Sequence, residues 1–178
     1  PASEDLVKWG ANERSLTLNG ELWRLFSCVF IHIGIIHLIM NLYALIFIGS
    51  ILEPIIGKYK FIIGYLISGF IASTASLWWN TFSLSAGASG AIFGLFGIFL
   101  ALLTTNYLDK TTRKSMLTYI FIYIGLNLMN GFQDGIDAAA HLGGLLSGFI
   151  FGYAFYYGLI NKESHVINNW ILSIISFL

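Results

Sequence analysis

The feature that constrains this chain most is the placement of its charges: none falls within residues 25–52, 61–108, 115–133 or 138–161. An uncharged apolar run of about 18 residues or more is long enough to cross a bilayer as a helix. Only 10% of the residues are charged and 57% are hydrophobic, with a mean hydropathy of +0.77, whereas a soluble domain carries about 25% charged residues. These values exclude a soluble globular domain and predict an all-α, multi-pass integral membrane protein built as a transmembrane helix bundle in the lipid bilayer. A net charge of zero gives a nucleic-acid partner no electrostatic support. Cys28 is the only cysteine, so neither an internal disulfide nor a cysteine-based metal cluster is possible. No metal and no cofactor is expected.

A single membrane domain is expected over residues 1–178, in three parts. Residues 1–32 mix Lys8, Arg14 and Arg24 with Glu4, Asp5, Glu13, Glu21, Trp9 and Trp23, a headgroup-layer composition that predicts an interfacial segment outside the cytoplasm. Residues 33–160 are expected to hold five complete spans. The first, 33–52, should stop at Glu53-Pro54; the others are 61–79, 88–103, 116–129 and 138–160, of which 116–129 is short for a span. Residues 131–137, with two glycines and two acids, suit a mobile hydrated cover. Residues 161–178 form a truncated C-terminal segment in which a partial extra helix is expected from Ile167. The chain starts at Pro1 and stops at Leu178 inside an apolar run, so it reads as a fragment, without a signal peptide. Lys58, Lys60, Lys110, Arg113, Lys114 and Lys162 fall on one side of this topology, and loops 80–87 and 131–137 carry no Lys or Arg. The basic side is therefore expected to be cytoplasmic.

Within this pattern Gly87-Ala88-Ser89-Gly90 sets one hydroxyl among small residues at the mouth of an apolar run. If a helix begins here, its free N–H groups suit an oxyanion. Taken alone, the stretch reads as a packing motif before it reads as a site, because Gly90 and Gly94 have the small-xxx-small spacing of packed membrane helices.

Depth separates the two readings. At about 1.5 Å per residue, counted from the cytoplasmic ends, Asn41 lies ~16 Å up, His37 ~22 Å, Ser89 ~21 Å and His141 more than ~24 Å, within a core about 30 Å thick. The four come from three helices that share an outer end, and His37 and Asn41, four apart, share a helix face. Each alone is as well explained by interhelical hydrogen bonding or a satisfied buried ring. Four costly polar groups at one depth point instead to one site. A hydroxyl with an imidazole base is the minimum for nucleophilic acyl transfer, with His37, Asn41 and the Ser89 amide as donors to the oxyanion. No carboxylate lies at that depth to complete a triad.

With these residues in view, the chain resembles the rhomboid family of intramembrane serine proteases. The resemblance rests on Trp23-Arg24, Phe30-x-His32, His37-Leu38-x-x-Asn41, Gly87-Ala88-Ser89-Gly90 and Ala140-His141-x-x-Gly144-x-x-x-Gly148, in order, over about residues 20–150. It implies a Ser89 nucleophile with His141 as base, and an oxyanion site of His37, Asn41 and the Ser89 amide. It also implies close packing of the Ser89 and His141 helices through Gly87, Gly90, Phe93, Gly94, Gly144 and Gly148 near the site. The implied activity is endoproteolysis of single-span transmembrane protein substrates near the outer membrane surface, in a bacterial inner membrane with the site open to the extracytoplasmic side. Two departures stand out. Some relatives carry Tyr where this chain has Phe93, and the family core has six spans, so a first helix is expected to be missing before Pro1. Two other classes stay open: a transporter or channel using His32, His37 and His141 as a metal or proton path, and an inactive relative that binds membrane clients.

Overall fold

In a computed structural model, which describes residues 1–79, 84–130 and 137–160, the chain is a helix bundle with no strand longer than a single bridge among those residues. Residues 80–83 of the expected loop 80–87, residues 131–136 of the expected loop 131–137 and the segment 161–178 lie outside the described residues. Three short helices come first: α1 (Ser3–Trp9), α2 (Arg14–Leu18) and α3 (Arg24–Ser27), the last running into a 3-10 turn at Cys28–Phe30. Five longer ones follow: α4 (Ile35–Ile56), α5 (Lys58–Trp79), α6 (Ser89–Thr104), α7 (Lys110–Asn130) and α8 (Ala138–Ile160). Helices α4, α5 and α8 have both the length and the hydropathy to cross a membrane. Helix α6 is apolar but only 16 residues long, or ~24 Å.

Two boundaries differ from expectation for one physical reason. Helix α4 continues through Glu53-Pro54 and ends at Gly57, whose φ of 83° is left-handed. A proline removes one backbone donor but does not by itself stop a helix about to end. Helix α7 begins at Lys110, not near residue 116, so it has 21 residues, although it is not among the described helices both long and apolar enough to cross a membrane. Asp109 caps its start, with one carboxylate oxygen accepting from the Thr111 and Thr112 amides at 3.0 Å each; bonds from Thr112 hold this carboxyl below its ordinary pKa. Charges mark where hydrocarbon gives way to water. They do not mark where a helix stops.

The core is built around α6. Its residues are apolar on every side, with Ile92, Phe96, Phe99 and Leu102 fully buried, as expected of a helix enclosed by others. Helices α8, α5, α4 and α7 all pack on it. Helix α4 instead exposes Ile35, Ile36, Ile39, Tyr43 and Ile46 along one face, a surface suited to lipid.

The α6–α8 contact is made backbone to backbone. A Cβ on Gly144 would overlap the Gly90 carbonyl, and one on Gly148 the Gly94 carbonyl. On the α5 side, a Cβ on Gly90 would come within 2.6 Å of Ala72 Cβ. Such approach gains dispersion contacts where lipid removes the usual hydrophobic drive.

The segment before α4 is ordered by its polar groups. Arg24 is buried, yet its guanidinium donates to Glu21 at 2.7 Å and to the Val7 and Ala11 carbonyls at 2.7 and 3.0 Å. Glu13 caps α2 through the Ser15 and Leu16 amides.

Gly148→Ala should lower stability by about 2 kcal/mol or more, since the added methyl meets backbone that cannot rotate away. Gly125→Ala on α7, where a Cβ meets nothing within 4 Å, should be neutral or slightly stabilising. Thermal unfolding of both variants in detergent checks this pair; equal unfolding temperatures would contradict it.

Candidate active site

Ser89 is the first residue of α6 and His141 sits in the first turn of α8. The glycine contact between these helices holds their starts side by side, and Ser89 Oγ lies 2.8 Å from His141 Nε2. Two devices fix the ring. Phe93, one turn below Ser89, stacks on His141 with centroids 4.3 Å apart and planes 5° from parallel. The start of α8 is itself pinned by Asp137, whose carboxylate accepts from the Ala140 amide at 2.9 Å and from the Ser76 hydroxyl of α5. Asp137 is thus an N-cap, not part of a loose cover. His141 Nδ1 is buried with no hydrogen-bond partner among the described residues.

A cavity of about 840 Å³ opens on this pair. Ser89, His141, His37, Asn41, Gly87, Gly90 and Phe93 all line it, as do Met40 and Tyr43 of α4 and Tyr123 of α7. Gly94, Gly144 and Gly148 are not on its wall; they lie deeper, in the α6–α8 contact. His37 and Asn41 stand on the same face of α4, where the Asn41 amide donates to the His37 carbonyl at 2.8 Å. The His37 ring rests against Gly87, where a Cβ would sit 2.7 Å from His37 Cε1. Gly87 also has φ 137°, so a side chain is excluded there twice over. His32 lies edge-on to His37, ring centroids 5.3 Å apart. No three His, Cys, Asp or Glu side chains gather as a metal site among the described residues.

The loop leading into Ser89 is tied to the segment before α4. Ser85 exchanges both backbone hydrogen bonds with Asn12 at 2.9 Å, and the Gly87 amide donates to the Cys28 carbonyl at 2.9 Å. Sequence reasoning did not single out Asn12 or Tyr123. Asp137 was read as part of the hydrated loop 131–137, although an aspartate just before an apolar helical run is a capping signal. Asn12 carried no signal, because its partners are mostly backbone atoms far along the chain.

The arrangement is competent for one kind of chemistry. A hydroxyl bonded to an imidazole nitrogen can lose its proton as it attacks. The first turn of α6 leaves the Ser89, Gly90 and Ala91 amides without acceptors inside the helix, at a wall that also carries the polar side chains of α4.

Comparison with known proteins covers the stretch of chain that holds these residues. The sequence profile of the Rhomboid domain matches residues 19–158. The chain is 41% identical over 171 residues to RHOMBOID-like protein 1 of Arabidopsis thaliana, covering 93% of this chain and 44% of that protein. It is 41% identical over 148 residues to the Rhomboid protease GluP of Bacillus subtilis (83% and 29%), and 32% identical over 187 residues to the Rhomboid protease AarA of Providencia stuartii (92% and 66%). The chain spans about half the length of the Arabidopsis relatives it matches.

The stacked ring should matter for reactivity. Phe93→Leu removes an aromatic contact worth about 0.5–1.5 kcal/mol, so capture of Ser89 by a fluorophosphonate should slow up to about tenfold, with Phe93→Tyr near wild type. Time courses of labelling check this; a wild-type rate for Phe93→Leu would mean that packing elsewhere orients His141.

Proposed function

The chain belongs to the rhomboid family, an integral membrane kinship, and on that premise we propose that it is an intramembrane serine endopeptidase that cuts transmembrane protein substrates. The observation that carries the reading is the 2.8 Å pairing of Ser89 Oγ with His141 Nε2 inside a cavity in an apolar bundle. Ser89 attacks the scissile carbonyl while His141 Nε2 takes its proton. The negative charge that develops on the carbonyl oxygen is met by the Ser89 amide and by His37 and Asn41 from α4. His141 then protonates the leaving amine, and the Ser89 ester is hydrolysed by water activated at the same nitrogen.

In place of a carboxylate, Phe93 supports His141. Its flat face fixes the ring plane in the neutral state and attracts the ring when it becomes a cation. A charged third member would be expensive to keep at this depth. A transporter reading finds less support, because His32, His37 and His141 form no three-ligand cluster among the described residues. The presence of both Ser89 and His141 weighs against an inactive client-binding relative.

Substrates in this reading are single-span membrane proteins cut near the outer surface, with the site open away from the cytoplasm. The basic starts of α5 (Lys58, Lys60) and α7 (Lys110, Arg113, Lys114), which share the opposite side, support that orientation. A bacterial inner membrane is our reading of the location; the relatives come from a plant as well as from bacteria. A substrate helix enters laterally between α4 and α7, both of which contribute cavity wall.

Ser89→Ala and His141→Ala should each abolish cleavage of a purified single-span substrate without loss of fold. His37→Ala and Asn41→Ala should each reduce kcat by roughly 10-fold to 1000-fold. Turnover retained by Ser89→Ala would overturn the proposal. For lateral access, a bifunctional thiol crosslink between cysteines at Met40 and Tyr123, in a Cys28→Ser background, should block cleavage of the membrane substrate but leave fluorophosphonate labelling intact. Full cleavage by the crosslinked protein would place the way in elsewhere.

A further inference from the structure

A loop whose backbone lies below a membrane surface can persist only where protein or a wet cavity satisfies its polar groups. The stretch from Leu84 to Ala88 is such a loop. It is not helical, it lines the cavity, and it delivers Ser89. Apart from the Ala88 carbonyl, which accepts from the Ile92 amide of α6, its described backbone bonds run to one neighbour, the segment before α4: Ser85 to Asn12 in both directions and the Gly87 amide to the Cys28 carbonyl.

Asn12 is the fixed point of that attachment. It is 2% exposed, although asparagine is seldom fully buried, and both ends of its side chain are used. Nδ2 donates to the Ser73 carbonyl of α5 at 3.0 Å, and Oδ1 accepts from the Thr17 hydroxyl, itself fully buried, at 2.8 Å. The residue before it is held as well, since the Ala11 carbonyl accepts from Arg24. The backbone that grips Ser85 is therefore locked to α5 on one side and to α2 on the other. Ser85 stands four residues before Ser89 and two before Gly87, against which His37 packs.

We infer that Asn12 is a positioning residue for the reaction: by clamping Ser85 to α5 and α2, it sets the aim of the Ser89 hydroxyl and amide. It touches neither substrate nor the reacting atoms. Its effect passes through the loop, and a displacement of about 1 Å at a reacting group can cost on the order of 100-fold in rate. The kinetic part of this inference rests on the serine endopeptidase reading; the clamping part does not.

The test uses the full chain in detergent with two readouts. In Asn12→Ala the rate constant for fluorophosphonate capture of Ser89 should fall by about tenfold or more, while the fraction labelled at completion stays at the wild-type level. kcat should fall with KM little changed, and amide exchange over residues 84–90 should accelerate. A merely structural role predicts the reverse, a smaller labelled fraction that still reacts at the wild-type rate constant, and that result would overturn the inference. Unchanged amide exchange over 84–90 would overturn it too. Should Asn12→Ala fail to fold, Thr17→Val, which removes only the hydroxyl donor to Asn12, should slow labelling several-fold, with Thr17→Ser restoring it; equal rates for Val and Ser would again overturn it. A wild-type protein that does not label at all would overturn the endopeptidase reading and the catalytic role of Asn12 together, leaving the exchange measurement to decide the clamp by itself.

Discussion

A polar group taken into a membrane must find its partners within the protein, and most of this structure follows from that requirement. The loop before Ser89 is held because the Asn12 backbone both donates to and accepts from Ser85, and the Cys28 carbonyl accepts from Gly87. Arg24 is buried because Glu21 and two carbonyls surround it. A segment that composition alone marks as interfacial thus becomes a brace that reaches into the bundle. Its Asn12 bonds to α5, and Ser85, the backbone partner of Asn12, lines the same cavity as Ser89 and His141.

The second requirement is closeness. Two helices that present side chains to one another lie 8–10 Å apart, whereas α6 and α8 meet through Gly90, Gly94, Gly144 and Gly148 with no room for a Cβ. Ser89 and His141 belong to those same two helices, at the ends nearest the cavity. The distance between hydroxyl and imidazole is thereby set by backbone contact rather than by flexible side chains. Phe93 and the Asp137 cap then fix the remaining freedom, one the plane of the ring and the other the start of its helix.

Much of this was legible in the chain. Charge-free runs announced an all-helical membrane protein, and a series of ordered motifs announced the family, because both depend on residue types at fixed spacing. Counting depth placed His37, Asn41, Ser89 and His141 at one level, and all four line one cavity. Other features resisted reading. The start of α7 was misjudged because Lys110, Arg113 and Lys114 are good helix formers that merely sit in water. Pro54 looked like a terminus and is instead part of the last turn. Asn12 was invisible for a deeper reason: three of its bonds go to the backbone of Ser73 and Ser85, atoms that every residue possesses, so no pattern of side chains encodes the meeting.

The length of α6 carries one more consequence. A 16-residue helix facing lipid would force the bilayer to thin around it or would tilt its neighbours. Helix α6 faces none, because α4, α5, α7 and α8 enclose it. Its shortness is therefore accommodated inside the protein, where a recess, the cavity lined by Ser89, opens at the start of the helix. The depth of that recess is measured off by the helix itself. It stays the same in a thin membrane and in a thick one, so the level of Ser89 is set by the bundle and not by the bilayer.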